Sequence, residues 1–543
     1  MKKIAILIIA VLSFLSIQAQ SPKHEVRAVW LTTIGGIDWP HSYNNQRQKD
    51  ELCRTLDQLR SAGINTILLQ TRVRATTIFP SDMEPWDGCM SGRPGVAPDY
   101  DPLQLAIDEC HRRGMELHAW VVTIPVGKWN NLGCKKLRQK YPKLIKKIGE
   151  DGYMNPELPQ TADYLAQFCQ KIVQQYDVDG IHLDYIRYPE TWPKAKNNAE
   201  RANRRHHITH IVKAISSAVK SQKPWVKMSC SPIGKYDDLL RYRSGGWNAR
   251  TAVGQDAQQW LREGLMDELF PMMYFRDNQF FPFAIDWQEQ SAGRIVVPGL
   301  GIYFLDPREG KWILGDVTRQ MSVARQLGMG HCYFRSKFFT DNVKGIYDFA
   351  KQFDATPALI PPMTWCGQTP PTAPKNVMHK GSLLFWSKAQ NRNDSPYLLY
   401  NIYASRKYPV DTDNPENLVA TRLTTNQAAV TTDKNIFYAV TACDRYGQES
   451  EVCQMFNDQE NYRYWLTDDI QQTDGYHVLL PVKPVTLDAN YIIFETLLGQ
   501  QVGATMYQGK YADISYLPNG IYCMRSLGKK ERTHRLGYFT IKR

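Results

Sequence analysis

The chain has 543 residues, 43% of them hydrophobic and 22% charged, which excludes a wholly disordered or fibrous protein and suits two to four domains. Lysine and arginine outnumber aspartate and glutamate, 66 to 54, for a formal charge of +12, and aromatic residues reach 11%. Such a charge favours an anionic partner (nucleic acid, acidic glycan or cell envelope) or a merely solubilising surface, because no dense Lys/Arg run stands out.

The N-terminus reads as a secretory signal peptide over residues 1–19. Lys2-Lys3 precede the apolar run Ile4 to Ile17, and Gln18-Ala19-Gln20 offers a small residue at the cut. That run is too short for a comfortable membrane span, and no cysteine follows the cut to carry a lipid. An exported protein is expected: periplasmic, cell-surface or secreted. Eleven cysteines are too thinly spread for a disulfide scaffold. Cys443 and Cys453 are a candidate pair across adjacent strands, and most of the others read as small buried hydrophobes. No CxxC or HExxH motif occurs, so neither a metal nor a cofactor is expected.

Residues 22–356 repeat one local grammar of amphipathic helix, glycine and short apolar strand. Gln46 to Ala62 places Leu52, Leu56 and Leu59 on one helical face and ends at Gly63, and Asp101-Pro102 opens a helix that closes at Gly114. The predicted strands are Val26 to Thr32, Thr66 to Thr71, Glu116 to Val122, Gly180 to Asp184, Val226 to Ser231, Glu268 to Tyr274, Ile295 to Leu300 and Gly330 to Phe334. Eight strands alternating with helices predict an α/β fold, a (β/α)8 TIM barrel with enlarged loops. A doubly wound sheet would usually carry a Gly-rich turn after its first strand, and none is present there.

Two small all-β modules are expected to follow the barrel. Pro361-Pro362 and Pro370-Pro371 bracket a linker. Residues 370–456 look like a fibronectin type III-like sandwich, with Trp386 in its core and Tyr438 as the corner tyrosine. Residues 457–543 form a second β module. Its Leu498-Gly499-Gln500-Gln501-Val502 and Leu517-Pro518-Asn519-Gly520-Ile521-Tyr522 segments are similar to the C-terminal sorting tails of exported bacterial proteins, or belong to a plain β module.

In a barrel of this kind the chemistry sits at the C-terminal ends of the strands. Those ends offer Asp38 and Trp39; Arg72, Arg74, Glu84 and Trp86; Trp120; His182, Asp184, Tyr185, Arg187 and Tyr188; Tyr274 and Asp277; Tyr303; and Arg335. Trp30 joins them from the first strand. Rings, guanidinium groups and carboxylates suit an uncharged ring system bearing hydroxyls, stacked on its faces and hydrogen-bonded at its edges. His182 and Asp184 are two apart on one strand and both point towards the barrel axis. The alternative roles are packing for the rings and loop anchoring for Asp184, through an ion pair with Arg187 or His182.

Three segments carry a resemblance: Glu25-Val26-Arg27-Ala28-Val29-Trp30-Leu31-Thr32-Thr33 with Gly36-Ile37-Asp38-Trp39-Pro40, the Glu84-Pro85-Trp86 loop, and His182-Leu183-Asp184-Tyr185-Ile186-Arg187-Tyr188-Pro189. Together they resemble the glycoside hydrolase-like family 10 domain, over about Pro22 to Asp354. The resemblance implies a TIM-barrel glycosidase acting on bacterial glycans, including peptidoglycan strands. Many members read Asp-Asp-Tyr where this chain has Asp184-Tyr185, so only the first acid carries over. Glycoside hydrolysis normally uses two carboxyl groups, a proton donor and a nucleophile or base. Asp184 is the first choice, with Glu84, Asp38 and Asp277, in that order, as its partner. The expected function is an exported glycosidase acting on an envelope or other polysaccharide. A non-catalytic glycan-binding barrel is the alternative, since the fifth strand, ending Ser229-Cys230-Ser231-Pro232, offers no glutamate. A metal-dependent deacetylase is more distant, because His111, His118 and His182 lack an acid-rich metal motif. The expected partner is a polysaccharide or oligosaccharide, with cell-envelope association and without nucleic acid.

Overall fold

Local signals set the helix boundaries in the first 350 residues. Helix α1 (Asn45–Ser61) starts where the Asn44 side chain accepts the Arg47 N–H, buries Leu52, Leu56 and Leu59, and gives way to Gly63 at φ +83°. A side chain at Gly63 would also strike Asp354, at 2.6 Å. Helix α2 (Pro102–Arg112) is capped by Asp101, which accepts from Leu103 N and Gln104 N, with proline in its first turn. The computed structural model describes residues 21–433, 435–455, 470–480, 491–496, 500–506, 511–527 and 533–543. The signal-peptide expectation and Leu498-Gly499 lie outside the described residues.

The strands, in chain order, are β1 (Arg27–Leu31), β2 (Thr66–Arg72), β3 (Glu116–Val122), β4 (Pro125–Lys128), β5 (Ile145–Ile148), β6 (Asp151–Met154), β7 (Gly180–Asp184), β8 (Lys227–Cys230), β9 (Glu268–Leu269), β10 (Ile295–Val296), β11 (Gly299–Leu300) and β12 (His331–Tyr333). Nine of them form one parallel sheet in the order β10-β9-β8-β7-β3-β2-β1-β12-β11. Its two edge strands are separated by only Val297 and Pro298, so the sheet curls until its edges are consecutive pieces of chain. The predicted strand Ile295 to Leu300 is thus split, because Pro298 has no N–H for the ladder. The predicted strand Glu268 to Tyr274 ends at Leu269, two residues before Pro271, for the same reason.

Side chains fill the interior. Ala28, Trp30, Leu68, Trp120, Val122, Phe270, Val297 and Cys332 form one buried cluster. Gly180 is required on β7, since a Cβ there would lie 2.5 Å from His118 Nδ1. Outside, helices α3 (Leu132–Lys140), α4 (Pro159–Gln175) and α5 (Asn198–Lys220) follow β3 and β7. Strands β4, β5 and β6 form a separate antiparallel sheet that projects after β3 together with α3, inside what the sequence suggests is only a long loop.

Residues Met1–Met455 make one compact unit and Phe456–Arg543 another. The first unit includes seven antiparallel strands in sheets of three and four between Lys375 and Gln454, with Trp386 and Tyr438 buried between them. This layer packs against the starts of the barrel strands. Arg422 reaches Glu116 (3.0 Å) and Asp179 (2.6 Å), and Arg445 reaches Asp177 (2.7 Å) and Asp179 (3.1 Å). The expected linker is packed as well: Trp365 donates to Asp267 at 2.9 Å and Met363 N to Tyr446 O at 2.8 Å. Cys443 and Cys453 are both free thiols, because the register sets Cys453 opposite Val440. The second unit holds a five-stranded sheet and a two-stranded one around Ile492, Phe494, Ile514, Met524 and Phe539. No helix among the described residues is long and apolar enough to cross a membrane.

Candidate active site

Asp184 ends β7 at the open end of the barrel and is nearly buried, at 6% exposure. Its Oδ1 accepts from Tyr185 N (2.8 Å) and Ser231 Oγ (2.9 Å), and its Oδ2 from Trp120 Nε1 (3.1 Å). Trp120 comes from β3, whose Val122 lies in register with Asp184, and Ser231 follows β8 on the other side. Both oxygens are therefore held by neutral donors. Burial raises the Asp184 pKa above the ordinary carboxylate value, against the opposing charge of Arg187 and these hydrogen bonds.

A rim of half-buried rings surrounds it. Tyr185 sits at φ +52°, a conformation unusual for a tyrosine, with the Arg187 guanidinium 4.3 Å from its ring centre. Tyr274, Tyr303 and Phe334 meet at centroid distances of 5.2–5.8 Å. The Tyr274 hydroxyl is buried without a hydrogen-bond partner among the described residues; burial and the nearby thiol and carboxylate push its pKa well above the usual value, so it remains a donor. Arg187 is buried and bonds to Glu190 (2.5 Å), and its Nε and Nη1 have no hydrogen-bond partner among the described residues. Asp38 Oδ2 accepts from Thr32 N (3.0 Å), while its Oδ1 pairs with Arg335. Burial raises the Asp38 pKa against both of these contacts.

Several expected site residues lie elsewhere. The Glu84 carboxylate, ranked first as partner to Asp184, is clamped by Arg72 (Nη2 to Oε1, 2.6 Å) and by the Tyr164 hydroxyl (3.0 Å) on the helical side of the sheet. Both members of that ion pair are almost wholly buried, so Arg72 and Glu84 anchor the loop after β2. Trp39 is core, donating to Gln48 O at 2.9 Å, and the Tyr188 hydroxyl meets His207 Nδ1 at 3.0 Å against helix α5. Trp30 and His182 lie inside the barrel beneath the mouth. Trp30 Nε1 donates to His182 Nε2 (3.2 Å), which leaves the His182 proton on Nδ1, 3.0 Å from Ser229 Oγ. Burial drives the His182 pKa well below normal, so the ring is neutral. Trp86 is half-buried on its loop, and Arg74 and Asp277 are exposed.

Ser231 was not among the expected residues. The signal for it is its place two residues beyond Ser229 on an inward-facing row. Among the described residues one cluster has the makings of a metal site, the buried trio Glu25, His331 and Asp354. Arg27 and Arg325 already neutralise it, at 2.7 Å from Glu25 and 2.5 Å from Asp354. Its carboxylates are committed to ion pairs, at the opposite end of the strands from Asp184. A groove of about 980 Å³ also lies away from Asp184, lined by Tyr141, Leu144, Leu158, Tyr164, Gln167 and Ala218.

A parallel α/β sheet curled on itself, with a buried carboxylate and rings at its strand ends, places the chain among barrel-like proteins built to hold a ligand at that end. Residues 25–303, just over half of the chain, match the glycosyl hydrolase-like 10 family, and the chain belongs to that family. It is 28% identical over 482 residues to glycosyl hydrolase YngK of Bacillus subtilis (strain 168), covering 80% of this chain and 93% of that protein. It is 29% identical over 293 residues to glycosyl hydrolase DigH of Escherichia coli (strain K12), covering 47% of this chain and 67% of that one. Among solved structures it aligns with the PgaB (BpsB) glycoside hydrolase domain from Bordetella bronchiseptica at a TM-score of 0.43 and 13% identity, over 60% of this chain and 98% of that domain.

Proposed function

We propose that the chain is a (β/α)8-barrel glycoside hydrolase that cleaves a bacterial envelope polysaccharide, peptidoglycan glycan strands foremost, with Asp184 as its central carboxylate. One observation carries the reading: Asp184 is the buried carboxylate at the strand ends that is held by neutral donors alone, with no ion pair on either oxygen among the described residues. Three donors favour its anionic form, which suits it to face the positive charge that develops at the anomeric carbon, as nucleophile or base. Glu84 and Asp38 are locked to Arg72 and Arg335, so the proton for the leaving oxygen falls to Asp277, exposed on the rim after β9 and without an ion pair among the described residues. Tyr185, Tyr274 and Tyr303 supply faces for the sugar, and Arg187 and Arg335 supply donors at its edges. Placement outside the cytoplasm is supported by the N-terminal pattern. The 375–454 layer reads as a fibronectin type III-like sandwich, and the last unit as a sorting module.

A second reading, a barrel that binds glycan without cutting it, is favoured by the same two locked carboxylates. One experiment separates them: wild type and Asp184→Asn are incubated with a polysaccharide panel that includes peptidoglycan glycans, and new reducing ends are counted. Release by wild type and none by the variant is expected. Binding without release by wild type would sink the hydrolase reading, and equal release by the variant would remove Asp184 from the chemistry.

A further inference from the structure

The projection between β3 and α4 concentrates charge. From Leu132 to Ile148 the chain carries Lys135, Lys136, Arg138, Lys140, Lys143, Lys146 and Lys147 and no acidic residue. All six lysines are exposed. Ion pairs at the margin of this surface, Lys128 with Asp151 and Lys171 with Asp82, involve none of the six. Apolar residues between them, Leu137, Leu144 and Ile145, are buried, so the sequence alternates anchors with outward charges and the fold presents the charges together.

Rings lie among these charges. Arg138 and Lys147 stand 4.4 and 5.6 Å from the Trp129 ring, Lys146 4.6 Å from Trp192, and Lys140 5.4 Å from Tyr141. The groove of about 980 Å³ opens beside them and counts Lys140, Tyr141 and Lys143 in its wall, together with the amides of Gln160, Gln167 and Gln170. The projection is also joined to the site. It leaves the barrel directly after β3, where Thr123 N donates to Asp184 O at 2.9 Å. Tyr153 of β6 packs on Trp192, in the loop that carries Arg187, at 6.4 Å.

We propose that this lysine-rich shelf is a second glycan-binding surface that holds an acidic polysaccharide, through its repeating negative charges, outside the cleft. Uncompensated ammonium groups attract a polyanion over roughly the 8–10 Å that salt leaves unscreened, and interleaved rings and amides are what a sugar chain stacks on and hydrogen-bonds to. A folded protein-binding face would be more apolar and poorer in lysine at its centre. The inference rests on the glycan reading above and extends it, because it assigns acidic character to the polymer.

The test is affinity electrophoresis of the full chain through gels containing polygalacturonate, neutral dextran or single-stranded RNA. The variants are Lys140→Glu/Lys143→Glu/Lys147→Glu and, separately, Asp184→Asn. Wild type and Asp184→Asn should be retarded by polygalacturonate and pass dextran freely. The triple variant should bind polygalacturonate at least roughly tenfold more weakly, as three reversed exposed charges imply, and wild-type retardation should shrink as salt rises. Equal retardation of wild type and the triple variant, or none of wild type, overturns the shelf. Retardation by RNA as strong as by polygalacturonate, lost in the same variant, overturns the assignment to glycan. Binding retained by Asp184→Asn separates this result from the fate of the hydrolase reading, which is decided by reducing ends.

Discussion

Two buried carboxylates at the floor of the barrel, Glu116 and Asp179, and one at its mouth, Asp184, are treated in opposite ways. At the floor, Glu116 lies against Lys227 (2.6 Å) and Arg422 (3.0 Å), and Asp179 against His111, Arg422 and Arg445. Burial alone would raise these acids, but the cations win: Glu116 is held down to about 2 and Asp179 well below the usual range. At the mouth, Asp184 is equally buried, meets only neutral donors at contact distance, and is raised. A carboxylate matched by cations stabilises; one held only by dipoles keeps an unspent charge for a ligand.

The largest effect is expected where that unspent charge is removed. Asp184→Asn should lower hydrolysis by on the order of 10³-fold or more while circular dichroism stays native, and activity near wild type would break the comparison at its centre. Next comes the proton donor. Asp277→Asn should lower the rate roughly 10²–10⁴-fold, with less loss on substrates whose leaving group needs no protonation, such as an activated aryl glycoside. A uniform loss on both substrates would deny Asp277 that role.

The floor predicts stability instead of rate. Arg422→Met leaves Glu116 and Asp179 each short of a buried cation and should cost about 3 kcal/mol, read as a lowered Tm with activity per folded molecule unchanged at low temperature. The pH dependence has a definite sign. Glu116 is depressed from about 4.3 to about 2, so its stabilisation is complete above the unfolded value and is lost as pH falls through the folded one. The Tm should therefore fall steeply between about pH 4 and pH 2, and less steeply in Arg422→Met, where part of that linkage is gone. The mouth offers the mirror-image experiment. Trp120→Phe removes the donor to Asp184 Oδ2, raises a pKa that is already high, and should move the acid limb of kcat/KM upward by about one pH unit. An unmoved limb would show that Asp184 is not the group titrating there.

Much of this architecture is legible in the residues. The apolar face of α1, the Asp101 cap and the limits of β3 and β7 follow from spacing and capping chemistry alone. Two strands were shortened or split because Pro271 and Pro298 interrupt ladders that an apolar run suggests are continuous. Within the site, position along a strand locates Asp184, and Trp120 and Ser231 on the flanking strands become its donors only through register, which no single segment encodes. Glu84 shows the converse. Its aromatic loop reads as a sugar site, yet the β2–β3 register slips by one between Gln70 and Arg72, so Arg72, which alternation from Leu68 would point inward, turns outward and takes the acid towards α4. The lysine shelf escaped because its charges come at most two in a row; the buried Leu137, Leu144 and Ile145 interrupt the run in sequence and unite it in space.

Tyr188 gives the smallest and cleanest check on the division between mouth and packing. It lies four residues beyond Asp184 in the same motif, and sequence position alone would make it a sugar contact. Its ring is 1% exposed, meets Trp192 edge-on at 5.3 Å, and carries the Arg204 guanidinium at 4.8 Å. Its hydroxyl is spent on His207. Tyr188→Phe keeps the ring and deletes one hydrogen bond, so Tm should fall by the equivalent of about 1 kcal/mol while KM stays at the wild-type value. A raised KM with unchanged Tm would instead bring Tyr188 into the cleft and move the border of the site outward along the loop after β7.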